Sequence, residues 1–204
     1  MADLATQYPA SPSFESINFK TVTPTQVTGT MSGKVRRIGM GLSYYTWEIK
    51  YPSLTRLQAG TVKGYLAQAL GPQFSFEIVL PKLSTSALAT QTSSTCRTSA
   101  TAAIGSTSVT LTNCGNTQNV LAAGDFFKFN NHTKVYMCVA PCTSNSGGTA
   151  TLFFSGPLVS AVPSSTNLTI TAVPFTAILS APEQEFDIGY GGISSMSVSM
   201  RETF

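Results

Sequence analysis

Charge is the scarcest property of this sequence. Of 204 residues only 10% are Asp, Glu, Lys or Arg, against roughly 25% in an average soluble chain. Twelve basic and nine acidic residues leave a net charge of +3. That is too small for the basic face or stripe a nucleic-acid partner requires, so no specific nucleic-acid site is expected. Histidine is scarcer still, with His132 alone. Long hydrophobic runs are also missing. The stretch between Lys134 and Glu183 is uncharged, but Pro, Gly, Ser, Asn and Thr interrupt it throughout. It cannot supply about twenty consecutive apolar residues for a membrane span, and no membrane partner is expected. Residues 1–16 carry an acid at Asp3 and no apolar core, unlike a secretory signal. The expectation is a soluble chain made in the cytosol. No repeat of about 20 to 50 residues is present, which argues against a solenoid or propeller.

Aromatics and hydroxyls fill the space that charge leaves. Twelve Phe, seven Tyr and one Trp exclude a disordered chain, and the composition is not the Glu, Lys, Ala and Leu mixture of a coiled coil. Ser and Thr occupy 53 positions. Together these features describe a mainly β globular protein whose surface is solvated by hydroxyls more than by charges. Eight of the twelve basic residues lie between Lys20 and Lys82, and Lys34, Arg36 and Arg37 form a cluster. The cluster reads first as a solvated strand edge, since Lys and Arg discourage unwanted strand pairing. The sharper alternative is a basic rim facing an acidic partner or a nucleic acid.

The first eighty residues carry clear periodicities. Ile17 to Thr23 and Gln26 to Ser32 read as strands around the Thr23-Pro24 break. Between Tyr44 and Tyr51 the sequence alternates, with Tyr45, Trp47, Ile49 and Tyr51 on one face and Thr46, Glu48 and Lys50 on the other; this is a strand with one buried face. A helix near 55–70 follows, opened by a capping box over Thr55 and Gln58 and ended by Gly71-Pro72. Leu54, Leu57, Val62, Leu66, Ala69 and Leu70 would form its apolar stripe. Gly60 and Gly64, four apart, read as a close approach to a sheet. Phe74, Phe76, Ile78 and Leu80 then share one face of a strand closed by Pro81.

Composition changes after that strand. Lys82 to Thr95 reads as a linker. Beyond it, strand candidates at Ser106–Thr112, Phe126–Phe129, Lys134–Val139, Thr149–Phe154 and Asn167–Val173 are separated by turns at 123–125, 130–131 and 146–148, the pattern of a small β domain. Strands at Phe175–Leu179 and Gln184–Ile188, and a last one with Met196, Val198 and Met200 on one side, resemble the opening segment. The expected organisation is a discontinuous β-sandwich or barrel core, residues 1–82 and 175–204, with one flanking α-helix. A small β domain is inserted at 83–174.

Chemistry is hard to find. A Ser-His-Asp triad would have to be built on His132, which sits in an Asn-Asn-His-Thr turn. Nucleophile elbow, phosphate loop, HExxH and dinucleotide fingerprints are all missing. Glu183, Glu185 and Asp187 alternate along one segment and read as a solvated or interface-facing strand rather than a two-carboxylate site. Cys96, Cys114, Cys138 and Cys142 do not repeat a short zinc spacing, and Cys138 to Cys142 is one residue longer than CxxC. Reduced, partly buried thiols are the default in a cytosolic chain; a Cys96–Cys114 or a Cys138–Cys142 bridge is the alternative. No catalytic, cofactor-binding or metal-ligating residue is expected, and no cofactor.

The assembled phrases nevertheless have a likeness. The Tyr-Trp strand, the Pro-Ser-Leu lead-in to the helix, the stop at Gly71 and the Phe-rich strand to Leu80-Pro81 resemble tail-tip proteins of tailed bacteriophages. Ala103-Ile104-Gly105-Ser106-Thr107-Ser108-Val109-Thr110-Leu111, then Val120-Leu121-Ala122-Ala123-Gly124-Asp125-Phe126-Phe127-Lys128-Phe129, is similar to the small β domain often inserted in them. Lys134-Val135-Tyr136-Met137, Thr149-Ala150-Thr151-Leu152 and Gly156-Pro157-Leu158 continue that likeness, and Met200-Arg201-Glu202-Thr203-Phe204 is similar to their terminal strand. The nearest group is the distal tail, or baseplate hub, family. The resemblance implies a structural virion protein that catalyses no reaction. It would close on itself as a ring, a hexamer by preference, and join the tail tube to tip, fibre or baseplate components, assembling in the host cytoplasm. Other readings are a neck or tube-end protein, a carbohydrate- or receptor-binding module using Tyr136, Phe153 or Phe154, and a hydrolase built on His132 or Glu185.

Overall fold

The computed structural model describes residues 7–29, 31, 33–39, 42–86, 88, 95–188 and 193–204. The fold is mainly β and sandwich-type, with one α-helix among the described residues. The chain opens with β1 (Ser16–Val22), β2 (Thr25–Gly29), β3 (Val35–Gly39) and β4 (Tyr44–Lys50), followed by α1 (Arg56–Ala69), a single 3-10 turn and β5 (Phe76–Val79). Eight short strands follow: β6 (Arg97–Thr98), β7 (Ser108–Thr112), β8 (Asn119–Leu121), β9 (Phe126–Phe129), β10 (Val135–Met137), β11 (Cys142–Thr143), β12 (Ala150–Phe153) and β13 (Leu168–Thr169). The chain closes with β14 (Pro174–Leu179), β15 (Asp187–Ile188), β16 (Ser194–Ser195) and β17 (Ser197–Glu202).

Residues 1–76 and 177–203 form one compact unit, and 77–176 with Phe204 form a second. The boundaries expected at 82 and 175 therefore move into the strands themselves. The chain passes from one unit to the other within β5 and returns within β14. Local bonding explains the shift: Leu80 N–H donates to Ser84 Oγ, Val173 N–H donates to the Ser84 carbonyl, and the Phe126 and Phe175 rings meet edge-on at 5.5 Å. These residues already belong to the second unit. Half of the segment read as a linker, 87 and 89–94, lies outside the described residues.

A five-stranded sheet runs β1-β4-β17-β14-β5, with β1, β4 and β17 in the first unit. Within it β4 is paired antiparallel with β1 on one side and β17 on the other. The register sets Trp47 opposite Phe19 and Met200, and Ile49 opposite Ile17 and Val198. All these side chains therefore share one face. Tyr45, Trp47, Ile49 and Tyr51 are buried, as the alternation requires, and Phe19 stacks on Trp47 at 6.0 Å. At the far end the Tyr45 N–H donates to the buried Glu202 carboxylate at 3.2 Å. An aromatic group extends the core: Tyr65 of α1 meets Tyr8 and Phe76 edge-on, and the Tyr8 and Tyr51 hydroxyls are 2.8 Å apart. Burial pushes the Tyr51 and Tyr65 phenols up to about 12.

The helix starts where the capping box places it, with Gln58 N–H donating to Thr55 Oγ1 and Thr55 N–H to Gln58 Oε1. Leu70 turns left-handed, and Gly71, also left-handed, packs so close to Pro182 that a Cβ would sit 3.1 Å from its backbone. The buried face is Ala59, Val62, Tyr65, Leu66 and Ala69. Leu57 and Leu70 are exposed, contrary to the stripe read from sequence. Gly60 and Gly64 have open space around them and face solvent, so no close approach to a sheet requires them. The buried aromatic of α1, Tyr65, turned the helix away from the stripe that Leu57 suggested.

The second unit holds two three-stranded sheets, β10-β9-β13 and β12-β7-β6, and a ribbon of β11 and β8. Phe127, Phe129, Tyr136 and Phe154 pack together in its core with ring centroids 5.1–6.2 Å apart. Pairing of Arg97 with Thr112 brings Cys96 and Cys114 to a Cα separation of 4.6 Å, where they form a disulfide. The default of four reduced thiols is thus corrected for this pair, because the β6–β7 ladder draws them together. Cys138 and Cys142 are free and buried.

Two stability predictions follow from this packing. Trp47→Ala should cost about 3–5 kcal/mol in chemical denaturation, whereas Glu48→Ala, one residue along on the opposite face, should cost less than about 0.5 kcal/mol. The Cys96–Cys114 bridge spans 18 residues, and Cys114→Ala should lower the stability of the second unit by about 2–4 kcal/mol in the same assay.

Candidate functional site

The residues that sequence reading proposed for chemistry do not come together. His132 is half-buried in the turn between β9 and β10, its Nδ1 2.9 Å from Asn131 Oδ1 and its Nε2 3.0 Å from the Tyr136 hydroxyl. The same hydroxyl accepts the Val159 N–H at 3.1 Å. This arrangement holds a turn against the core. Tyr136 and Phe154 are buried, and only Phe153 of the three aromatics suggested for glycan stacking is exposed. Among the described residues no group of three or more His, Cys, Asp or Glu is placed to hold a metal. No described helix is long and apolar enough to cross a membrane.

Asp125 in the second unit was not singled out by sequence. Its carboxylate accepts the Ala122 N–H at 2.8 Å and the Ser86 hydroxyl, beside a cavity of about 640 Å³ lined by Lys82, Leu83, Thr85 and Phe126. An aspartate closing its own turn in this way is a structural device.

The surface features with more to offer lie on the first unit. Here β2 and β3 pair only with each other, from Thr25 opposite Gly39 to Gly29 opposite Val35. Every residue of both strands is exposed. The cluster of Lys34, Arg36 and Arg37 belongs to this hairpin, whose second strand carries no alternation in its sequence. Val27, Val35, Ile38 and, at the turn, Met31 are exposed beside it. Glu183 and Glu185 are also exposed. They precede a second two-stranded ribbon, β15 with β16, rather than forming the longer strand expected at Gln184–Ile188. A groove of about 360 Å³ lies beside Glu185, lined also by Glu15, Lys50, Tyr51 and Met196.

No protein-family model matches the chain, and no curated protein matches it in sequence.

Burial, and then the Lys128 ammonium, lower the His132 pKa from its ordinary 6.5. The folded state thus prefers the neutral ring. Its contribution to stability is complete above about pH 6.5 and is lost as pH falls through the lowered value. His132→Ala should flatten the pH dependence of unfolding free energy between about pH 7.5 and 5, measured by urea denaturation.

Proposed function

We propose that this protein is a structural component of a bacteriophage tail, a ring-forming distal tail or baseplate adaptor joining the tail tube to tip, fibre or baseplate parts. The observation that carries the reading is the pairing of sequence phrase with fold. The phrases that resemble tail-tip proteins fall on a five-stranded sheet with one helix and on a second β unit interposed in the chain. The exposed β2–β3 ribbon supports it, because a strand edge left open in one subunit is a ready surface for the next. Cyclic closure satisfies such edges without open growth.

Mass photometry and negative-stain class averages of the purified chain test the proposal. The expected result is a closed homo-oligomer of uniform size, six copies by preference. A chain that stays monomeric at micromolar concentration, with its tail-tube partner present as well, overturns it.

A further inference from the structure

The β2–β3 hairpin has no inside. In an antiparallel ribbon, opposite residues share a face, so Val27, Val35 and Arg37 lie on one side and Arg36 and Ile38 on the other. A ribbon packed on a core would bury one of these sides, yet Val27 is 62% exposed, Val35 55% and Ile38 57%. Two-stranded hairpins are marginal in water unless something covers them. Solvated arginines on a strand edge account for the charge alone. They do not account for aliphatic side chains on both faces.

The same unit carries a surface of opposite character. Glu15 and Glu185 flank the groove of about 360 Å³, with Tyr51 and Met196 as apolar lining and Lys50 offsetting one of the two carboxylates. On the β15–β16 ribbon, where Ile188 pairs with Ser194 next to the lining residue Ser195, Ile188 is 67% exposed, and Ile193, one residue before β16, is 52% exposed; Glu183, two residues before Glu185, is exposed as well. Basic and aliphatic groups on the hairpin thus match acidic and aliphatic groups around the groove.

We infer that the β2–β3 hairpin of one copy is an arm that docks in the Glu15–Glu185 groove of a second copy, its arginines between the carboxylates and its aliphatic side chains against Ile188 and Ile193. Two different surfaces meet, so the contact is heterologous and propagates from copy to copy until the ring closes. The charges set register and partner choice, and burial of the aliphatic groups supplies most of the affinity. This inference rests on the ring reading for the identity of its occupant.

The test is a charge exchange. Arg36→Glu/Arg37→Glu and Glu15→Lys/Glu185→Lys are each sized by mass photometry, with circular dichroism melting as the folding control; an arm variant that melts early is replaced by Arg36→Gln/Arg37→Gln. Each reversal alone should weaken assembly at least tenfold. Mixing the two reversed proteins should restore an oligomer of alternating subunits, because each arm then meets a seat of opposite sign. Raised salt should weaken the wild-type assembly. A wild-type ring that survives both reversals overturns the arm and leaves the ring reading standing. A monomeric wild-type chain overturns both. A monomer that floats with phosphatidylglycerol vesicles through Arg36 and Arg37 assigns the hairpin to an anionic lipid surface and overturns the second copy as its occupant.

Discussion

The first unit depends on the register that β4 imposes on its neighbours. Side chains in a strand alternate with a period of two, so a slip of one residue would send Tyr45, Trp47 and Ile49 to solvent together. Pairing on both sides multiplies that penalty, because Phe19 and Ile17 of β1 and Met200 and Val198 of β17 are positioned by the same register. The first and last thirds of the chain are thereby tied through one strand paired on both edges. Glu202 shows how strictly the pattern holds: it occupies the next inward position after Met200, and its carboxylate is buried where it can accept the Tyr45 N–H. A polar group is tolerated there because it meets a backbone donor rather than hydrocarbon.

Legibility in the sequence followed burial on one face. Tyr44 to Tyr51 could be read because alternate residues face a core, and the helix because Thr55 and Gln58 satisfy each other. In the second unit β12, with Ala150 and Leu152 buried between exposed neighbours, was visible for the same reason, and β9, with Phe126, Phe127 and Phe129 all buried, by its run of aromatics. The two-residue strands β6, β11 and β16 were not, since two residues carry no period. β3 was hidden for the opposite reason: with neither face buried, Val35 to Gly39 has no alternation to betray a strand. The boundary between units escaped detection because it falls inside β5 and β14, where apolar pattern continues unbroken. Helix orientation misled at Leu57, whose apolar side chain faces solvent while the smaller Ala59 is buried.

The candidate surfaces were partly legible. The basic trio and the acidic stretch stood out in a chain with so little charge, but which surfaces they belong to follows only from the pairing of β2 with β3 and of β15 with β16. Low charge gives those few groups leverage. Where Ser and Thr solvate most of the surface, a pair of arginines or glutamates dominates the local field, with few competing charges to scatter an approaching partner.

The two free cysteines have a consequence for the chemistry of the bonded pair. Thiol–disulfide exchange begins with attack by a thiolate. Burial pushes the Cys142 thiol up to about 12 and raises Cys138 as well, against an amide contact that pulls the other way. At neutral pH both sulfurs are held as protonated, shielded groups, poor nucleophiles toward any oxidised partner. The Cys96–Cys114 linkage is therefore insulated from scrambling by its own chain-mates, and a chain with four cysteines between positions 96 and 142 keeps a single connectivity.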